Sequence, residues 1–318
     1  MIGEKYFITT FFFVAVAFCC FGISNAAFDE TYAKQMINFA AASFIAPQTV
    51  NNTVLAKQCF EKSFPNGQWE ESEHSSIKPC AGYFNDECQL IITRSVPLNL
   101  VVIAFRGTVG EDQMKDETSA SLKSYIPWKY DESVGHVNRY FFDASESLWG
   151  GKVEYYLKTY KTYKFAFTGH SLGGAIASLI AFKARQQRLV NNTSLYTFGE
   201  PRIGNKEFAT NFRKYVPESY RIIHNSDLVP HMPLCAGALT SKCKDDSASP
   251  YHQPQEIWYN NDDLTMDNSK FTTCDPSDGE DPKCKAQICI YIIMIINWMN
   301  MDQRVAIPRS QLDYLLLF

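Results

Sequence analysis

The chain reads as an α/β protein with a mostly parallel sheet and helices on both faces. Three observations predict it. Leu98 to Phe105 is apolar except at Asn99, the pattern of a strand covered on both sides. Tyr163 to Thr168 is an aromatic-rich strand-like run, and after a glycine-rich turn Gly174 to Ala184 is helix-like with little polar face. Further strand-like runs, Ser194–Phe198 and Tyr220–Ile223, alternate with helical stretches. At 318 residues, 46% of them hydrophobic, the chain can bury one large core without dividing.

The elements follow in order. Lys5 precedes a stretch without charge from Tyr6 to Phe28, densely apolar from Phe11 to Phe21, with small residues at Ser24 and Ala26. Residues 1–26 therefore read as a secretory signal cut after Ala26, and the chain as secreted. The alternative is an uncleaved anchor, since the uncharged run is just long enough to span a membrane. Residues 27–285 read as the folded domain. Phe28–Ala46 has helical spacing, Leu90–Thr93 reads as a strand, Glu111–Ser124 is polar with helical character, and Tyr140–Tyr160 reads as one helix. No repeat or low-complexity linker interrupts the chain.

Eight of the ten cysteines lie beyond the signal, which suits disulfides in a secreted protein. Cys80 with Cys88 and Cys235 with Cys243 are close enough in sequence to pair locally. A zinc site is the competing use, but no C-x-x-C or H-x-x-x-H spacing supports it, and no metal or cofactor is expected. Asn51, Asn191 and Asn192 head glycosylation sequons. The net charge of −4 comes without a basic block, which argues against a nucleic-acid partner.

The chemistry points to one stretch. Gly169-His170-Ser171-Leu172-Gly173 fits G-x-S-x-G, in which a serine is lifted on a tight strand-to-helix turn. An acyl-transfer serine needs a histidine to take its proton, an acid to orient that histidine, and backbone N–H groups for the oxyanion. One such donor is the residue after the serine, Leu172. The other comes from the loop after an earlier strand, here Arg106-Gly107-Thr108. By themselves Thr108 also suits a helix cap, and Asn225-Ser226-Asp227 a turn.

Four motifs occur in a fixed order: Phe105-Arg106-Gly107-Thr108, Thr168 to Gly174, Phe198-Gly199-Glu200-Pro201-Arg202-Ile203-Gly204-Asn205, and Asn225 to Pro233. Together they resemble the class 3 lipases, the family of the fungal triglyceride lipases. The resemblance implies an α/β-hydrolase fold and hydrolysis of carboxylic esters, usually acylglycerols, at a lipid–water interface. It assigns Ser171 as nucleophile, Asp227 as triad acid, and the backbone of Thr108 and Leu172 as oxyanion hole, with Gly169, His170 and Gly173 in the elbow. His170 is expected to pack beside the serine rather than act as its base.

The resemblance has two gaps. Where the family carries a lid, residues 111–118 read Glu-Asp-Gln-Met-Lys-Asp-Glu-Thr. So polar a lid favours shorter, more soluble esters. The family's catalytic histidine usually lies in an Asp-His…Tyr-Phe segment near the C-terminus, and that segment is missing. The histidines are His74, His136, His170, His224, His231 and His252, which leaves His252 as the triad histidine by chain order. Its context, His252 to Trp258, resembles the family's structural histidine instead. A triad left without its base implies a lipase-like binding protein. Residues 286–318 form an atypical apolar tail, rich in the Ile, Tyr, Met and Asn that translated AT-rich non-coding sequence gives. Their other reading is a buried final strand.

Overall fold

The computed structural model describes residues 27–45, 50–70, 72–110, 113–114, 116–117, 125–235, 243, 249–261, 266 and 270–284. The expected signal segment and the tail from 286 lie outside the described residues. No described helix is long and apolar enough to cross a membrane.

Eight strands form the main sheet, numbered here in chain order: β1 (Glu73–Ile77), β2 (Cys88–Ser95), β3 (Leu100–Phe105), β4 (Lys164–His170), β5 (Thr193–Phe198), β6 (Ser219–His224), β7 (Glu256–Tyr259) and β8 (Thr272–Thr273). Their spatial order equals their chain order. The five strands from β3 to β7 run parallel. The two outer pairs on one side, β1–β2 and β2–β3, are antiparallel, as is β7–β8 on the other. The parallel centre is what the sequence predicts. Leu90–Thr93, read from the sequence as a strand, forms the middle of β2; its antiparallel pairing and the short, polar strands β1 and β8 are additions the sequence does not announce.

Six helices are used below: α1 (Glu30–Ala42), α2 (Val50–Ser63), α3 (Arg139–Leu148), α4 (Glu154–Thr159), α5 (Leu172–Gln186) and α6 (Lys206–Tyr215). Side chains alternate across a strand, so the buried strands feed two cores. Val101, Ile103, Phe105, Phe165 and Phe167 pack with α3, α5 and α6 on one face. Val102, Ala104, Ala166, Tyr196 and Tyr220 pack with α1 and α2 on the other. α5 is buried from Leu172 to Ala184, as its lack of a polar face requires.

The predicted single helix over Tyr140–Tyr160 is in fact two. It breaks between α3 and α4, where Gly150 (ψ 176°) and Gly151 (φ 63°) leave helical geometry. Paired glycines have more backbone freedom to lose than any other residues, and here they turn the chain. A second, antiparallel sheet joins Tyr125–Pro127, His136–Asn138, Gly204–Asn205 and Pro250–Tyr251. Asn205 anchors it: its Oδ1 accepts from the backbone N–H of His136 and of Phe208, each at 3.0 Å, capping α6.

Disulfides join Cys80–Cys88, Cys235–Cys243 and Cys274–Cys284. The first two are the local pairs suggested by spacing. Glu256 lies beside Cys274 and Cys284, but those sulfurs are bonded to each other and offer no thiolate to a metal.

Candidate active site

β4 delivers the chain to Ser171, and α5 leaves from it. Ser171 sits at φ 53°, ψ −125°, a conformation that residues with a Cβ rarely adopt. Its N–H donates to the Phe198 carbonyl on β5 at 2.9 Å, which helps hold the strained residue in place. The flanking glycines are obligatory. A Cβ on Gly169 would lie 2.3 Å from the Gly173 backbone, and one on Gly173 would lie 2.1 Å from the Phe105 carbonyl oxygen. The small residues of the motif thus let α5 start directly against β4 and the end of β3. Leu172 is the first residue of α5, so its N–H has no acceptor within the helix and lies at the positive end of the helix dipole.

The turn after β3 lies on this elbow. A Cβ on Gly107 would come within 2.7 Å of the His170 carbonyl oxygen. Arg106 fixes the turn: its N–H donates to the Gln89 carbonyl at 2.9 Å, and its guanidinium to Gln89 Oε1 at 3.0 Å and the Glu87 carbonyl at 2.8 Å. Thr108 follows, and its hydroxyl donates to the Glu117 carboxylate. Burial pushes the Glu117 carboxyl up to about 7, with the Thr108 bond opposing and Asp86 adding to the rise. Next to it, the Val109 N–H donates to Gln113 Oε1 at 3.2 Å.

Glu117 and Gln113 are the site residues that sequence reasoning misses. Both fall in the polar run expected to be a solvated lid. Gln113 is buried and Glu117 is turned to Thr108. Their polarity serves internal bonds, so at these two positions it says nothing about the solubility of a substrate. Residues 111, 112, 115 and 118–124 lie outside the described residues.

Asp227 comes from the turn after β6. Its N–H donates to the His224 carbonyl at 3.1 Å, and its Oδ1 accepts from the Val229 N–H at 2.9 Å. Its Oδ2 lies over Gly199, 2.7 Å from where a Cβ there would sit, and His170 Nε2 lies 3.6 Å from the same point. Gly199, at φ 59°, makes room for the carboxylate that a side chain would displace. Burial raises the Asp227 carboxyl to about 6, against the Val229 hydrogen bond and the charge of His224. The His170 ring lies between Gly107 and Gly199, and burial pushes its imidazole down to about 4. At neutral pH it is an uncharged packing group beside the serine.

His252 sits in a different environment. It is 2% exposed, and its Nε2 is 2.6 Å from the Pro230 carbonyl oxygen. Its backbone N–H donates to Glu280 Oε1 at 3.2 Å. Its Nδ1 has no partner among the described residues, so no acid orients the ring. Burial, then the cations Arg221 and Arg202, hold its imidazole well below the usual range. Around it Arg202 forms a two-bond pair with Glu280, at 2.7 and 2.9 Å, and Arg221 bonds Glu256 at 3.0 Å. Chain order offers His252 to the triad, but its Nε2 is committed elsewhere. The Glu-Pro-Arg of the third motif belongs to the same framework: Glu200 accepts from Thr197 at 2.6 Å and Gln253 at 2.7 Å.

The sequence model of class 3 lipases matches residues 102–237. A Caenorhabditis elegans lipase is 30% identical over 253 residues, covering 75% of this chain and 68% of that protein. A Rhizopus niveus lipase is 29% identical over 61% of this chain. The chain spans about two thirds of the worm relative and about half of the fungal one, 68% and 48%. Among solved structures, lipase II from Rhizopus niveus superposes with a TM-score of 0.61 at 22% identity, over 82% of this chain and 90% of that one. That likeness shows a shared α/β-hydrolase fold.

Proposed function

This chain belongs to the class 3 lipase family, and on that premise we propose that it hydrolyses the carboxylic esters of acylglycerols through Ser171. The observation that carries the reading is the strained Ser171 at the start of α5, with the Gly107–Thr108 turn packed on it. The Ser171 oxygen attacks the ester carbonyl carbon, and the proton of its hydroxyl passes to the oxygen of the departing alcohol. The backbone N–H groups of Thr108 and Leu172 hold the resulting oxyanion. The alcohol leaves with a proton, and water then cleaves the acyl-serine in the same manner.

Glu117 orients Thr108 for this role, and Asp227, by its place in the family's fourth motif, is the triad acid. His252 is not that imidazole in our reading. It is a buried framework residue, bound to Pro230 and set among Arg202, Arg221 and Glu280. We further propose that the protein works outside the cell, which the three disulfides among the described residues favour.

The test uses a fluorophosphonate probe and p-nitrophenyl esters of graded chain length. Ser171→Ala should abolish labelling and hydrolysis. His252→Ala should lower the folded yield while leaving the rate per folded molecule in place. Labelling of the Ser171→Ala protein would overturn the nucleophile assignment. Loss of all activity in a fully folded His252→Ala protein would make that residue the base.

A further inference from the structure

The turn from α5 to β5 carries two adjacent asparagines that the ester chemistry does not use. Its backbone is fixed. Arg188 takes φ 56° to reverse the chain, and the Leu189 N–H donates to the Ala184 carbonyl at 3.0 Å. The Arg185 guanidinium donates to the carbonyls of Val190 and Tyr215, each at 2.9 Å, and to that of Asn191. Val190 is buried beneath the turn, and the Asn192 carbonyl accepts from the Phe165 N–H at 2.9 Å. On this frame Asn191 and Asn192 are exposed, and neither side-chain amide bonds a described residue.

Both asparagines head the pattern that accepts an N-linked sugar, Asn191-Asn192-Thr193 and Asn192-Thr193-Ser194. The pattern needs the hydroxyl two residues on, and here the fold closes it off. Thr193 is 6% exposed and Ser194 wholly buried, its Oγ 3.5 Å from the Tyr32 hydroxyl. A transferring enzyme therefore meets this site only in the unfolded chain, as it does when a chain is modified during export. Once folded, the turn leaves room for the sugar, because both acceptor side chains are exposed. It also keeps the sugar away from Ser171. β4 and β5 run parallel with Phe165 opposite Thr193 and His170 opposite Phe198, so Asn192 and Ser171 lie at opposite ends of the sheet. From Lys164, beside Asn192, to Ser171 the chain rises by roughly 23 Å at about 3.3 Å per residue.

We propose that the Asn191–Asn192 turn bears one N-linked oligosaccharide, at the end of the sheet opposite Ser171. The inference rests on the reading that the protein works outside the cell. In the transfer, the asparagine amide nitrogen attacks the anomeric carbon of an oligosaccharide carried on a lipid pyrophosphate. The C–N bond forms and the C–O bond to pyrophosphate breaks. The amide nitrogen gives up one proton, and the lipid pyrophosphate leaves with the electron pair of the broken bond. One sugar and not two follows from the spacing, since neighbouring Cα atoms are about 3.8 Å apart and the first bulky chain covers the second amide. Sugar so placed adds a solvated surface at one end of the sheet and none beside the elbow.

The experiment uses the full chain expressed in insect cells and recovered from both cells and medium. Enzymatic release of N-linked sugar in heavy-oxygen water turns each sugar-bearing asparagine into a labelled aspartate, which mass spectrometry locates in the tryptic peptide after Arg188. One of the two asparagines should carry the label in each molecule. Asn191→Gln and Asn192→Gln together should remove the mass of one oligosaccharide and leave ester hydrolysis per folded molecule unchanged. An unlabelled peptide from secreted protein with its three disulfides formed would overturn the sugar and leave the extracellular reading standing. An unlabelled peptide from protein held in the cell, with those cysteines as free thiols, would overturn both. Label on both asparagines of one molecule would overturn the single sugar. Hydrolysis that falls in the double variant with an unchanged urea melt would overturn its placement away from the site.

Discussion

The neighbourhoods of Ser171 and His252 treat polar groups in opposite ways. Around Ser171 the parts are mostly backbone: the first N–H of a helix, a glycine turn, a residue held at positive φ. Its carboxyls, Asp227 and Glu117, are pushed up to about 6 and about 7 by burial. Around His252 the parts are side chains, and the charges are matched, Arg202 to Glu280 and Arg221 to Glu256. Reaction chemistry needs donors free to meet a developing charge and acids shifted toward neutrality. A framework needs the reverse, because a buried charge without its partner is costly. A histidine's place in the chain does not tell which of the two it serves.

The comparison is broken most forcefully at Gly173. Gly173→Ala places a Cβ against the Phe105 carbonyl, so α5 must retreat and carry Ser171 and Leu172 with it. A displacement of about 1 Å at a reacting group can cost on the order of 100-fold. Ester hydrolysis should fall by at least that factor while the far-ultraviolet circular dichroism stays that of a folded α/β protein. Near wild-type turnover would mean that the elbow is not the working centre.

Glu280→Ala tests the other region. It leaves the Arg202 guanidinium buried without its carboxylate, a change that costs about 3–5 kcal/mol in comparable buried pairs. Urea melts should show the loss, whereas the rate per folded molecule should hold. A rate that falls with no change in the melt would put this cluster in the chemistry rather than the framework.

The smallest effect on stability belongs to Asp227. Its folded carboxyl titrates near 6, above the ordinary carboxylate range. The stability linked to its protonated form is full below the unfolded value near 4 and is lost as pH rises through about 6. Asp227→Asn should remove that loss and so gain stability over wild type at pH 7 but not at pH 4. Partial exposure limits the gain to about 1 kcal/mol. A variant less stable than wild type at pH 7 would show that the ionised carboxylate is held by more than the Val229 N–H.

Much of this was legible before the fold. Leu98–Phe105 and Tyr163–Thr168 announce central strands because burial on both faces demands continuous apolar sequence. Gly169, Ser171 and Gly173 announce the elbow because only glycine tolerates backbone at the distances found there. The break between α3 and α4 was missed although Gly150 and Gly151 signal it, since the aromatic periodicity on either side outweighed two residues. Glu117 and Gln113 carried no signal at all, because a polar run looks the same whether its side chains face water or a neighbouring turn.

The sequence by itself determined the local units, the parallel centre of the sheet and the place of Ser171, all of which rest on short-range sterics and periodicity. Only the tertiary structure decided which polar residues meet. It set Glu117 on Thr108, Asp227 over Gly199, and His252 on Pro230. The physical reason is that a hydrogen bond between residues far apart in the chain exists only once the packed cores have fixed both ends, and no spacing along the chain encodes that meeting.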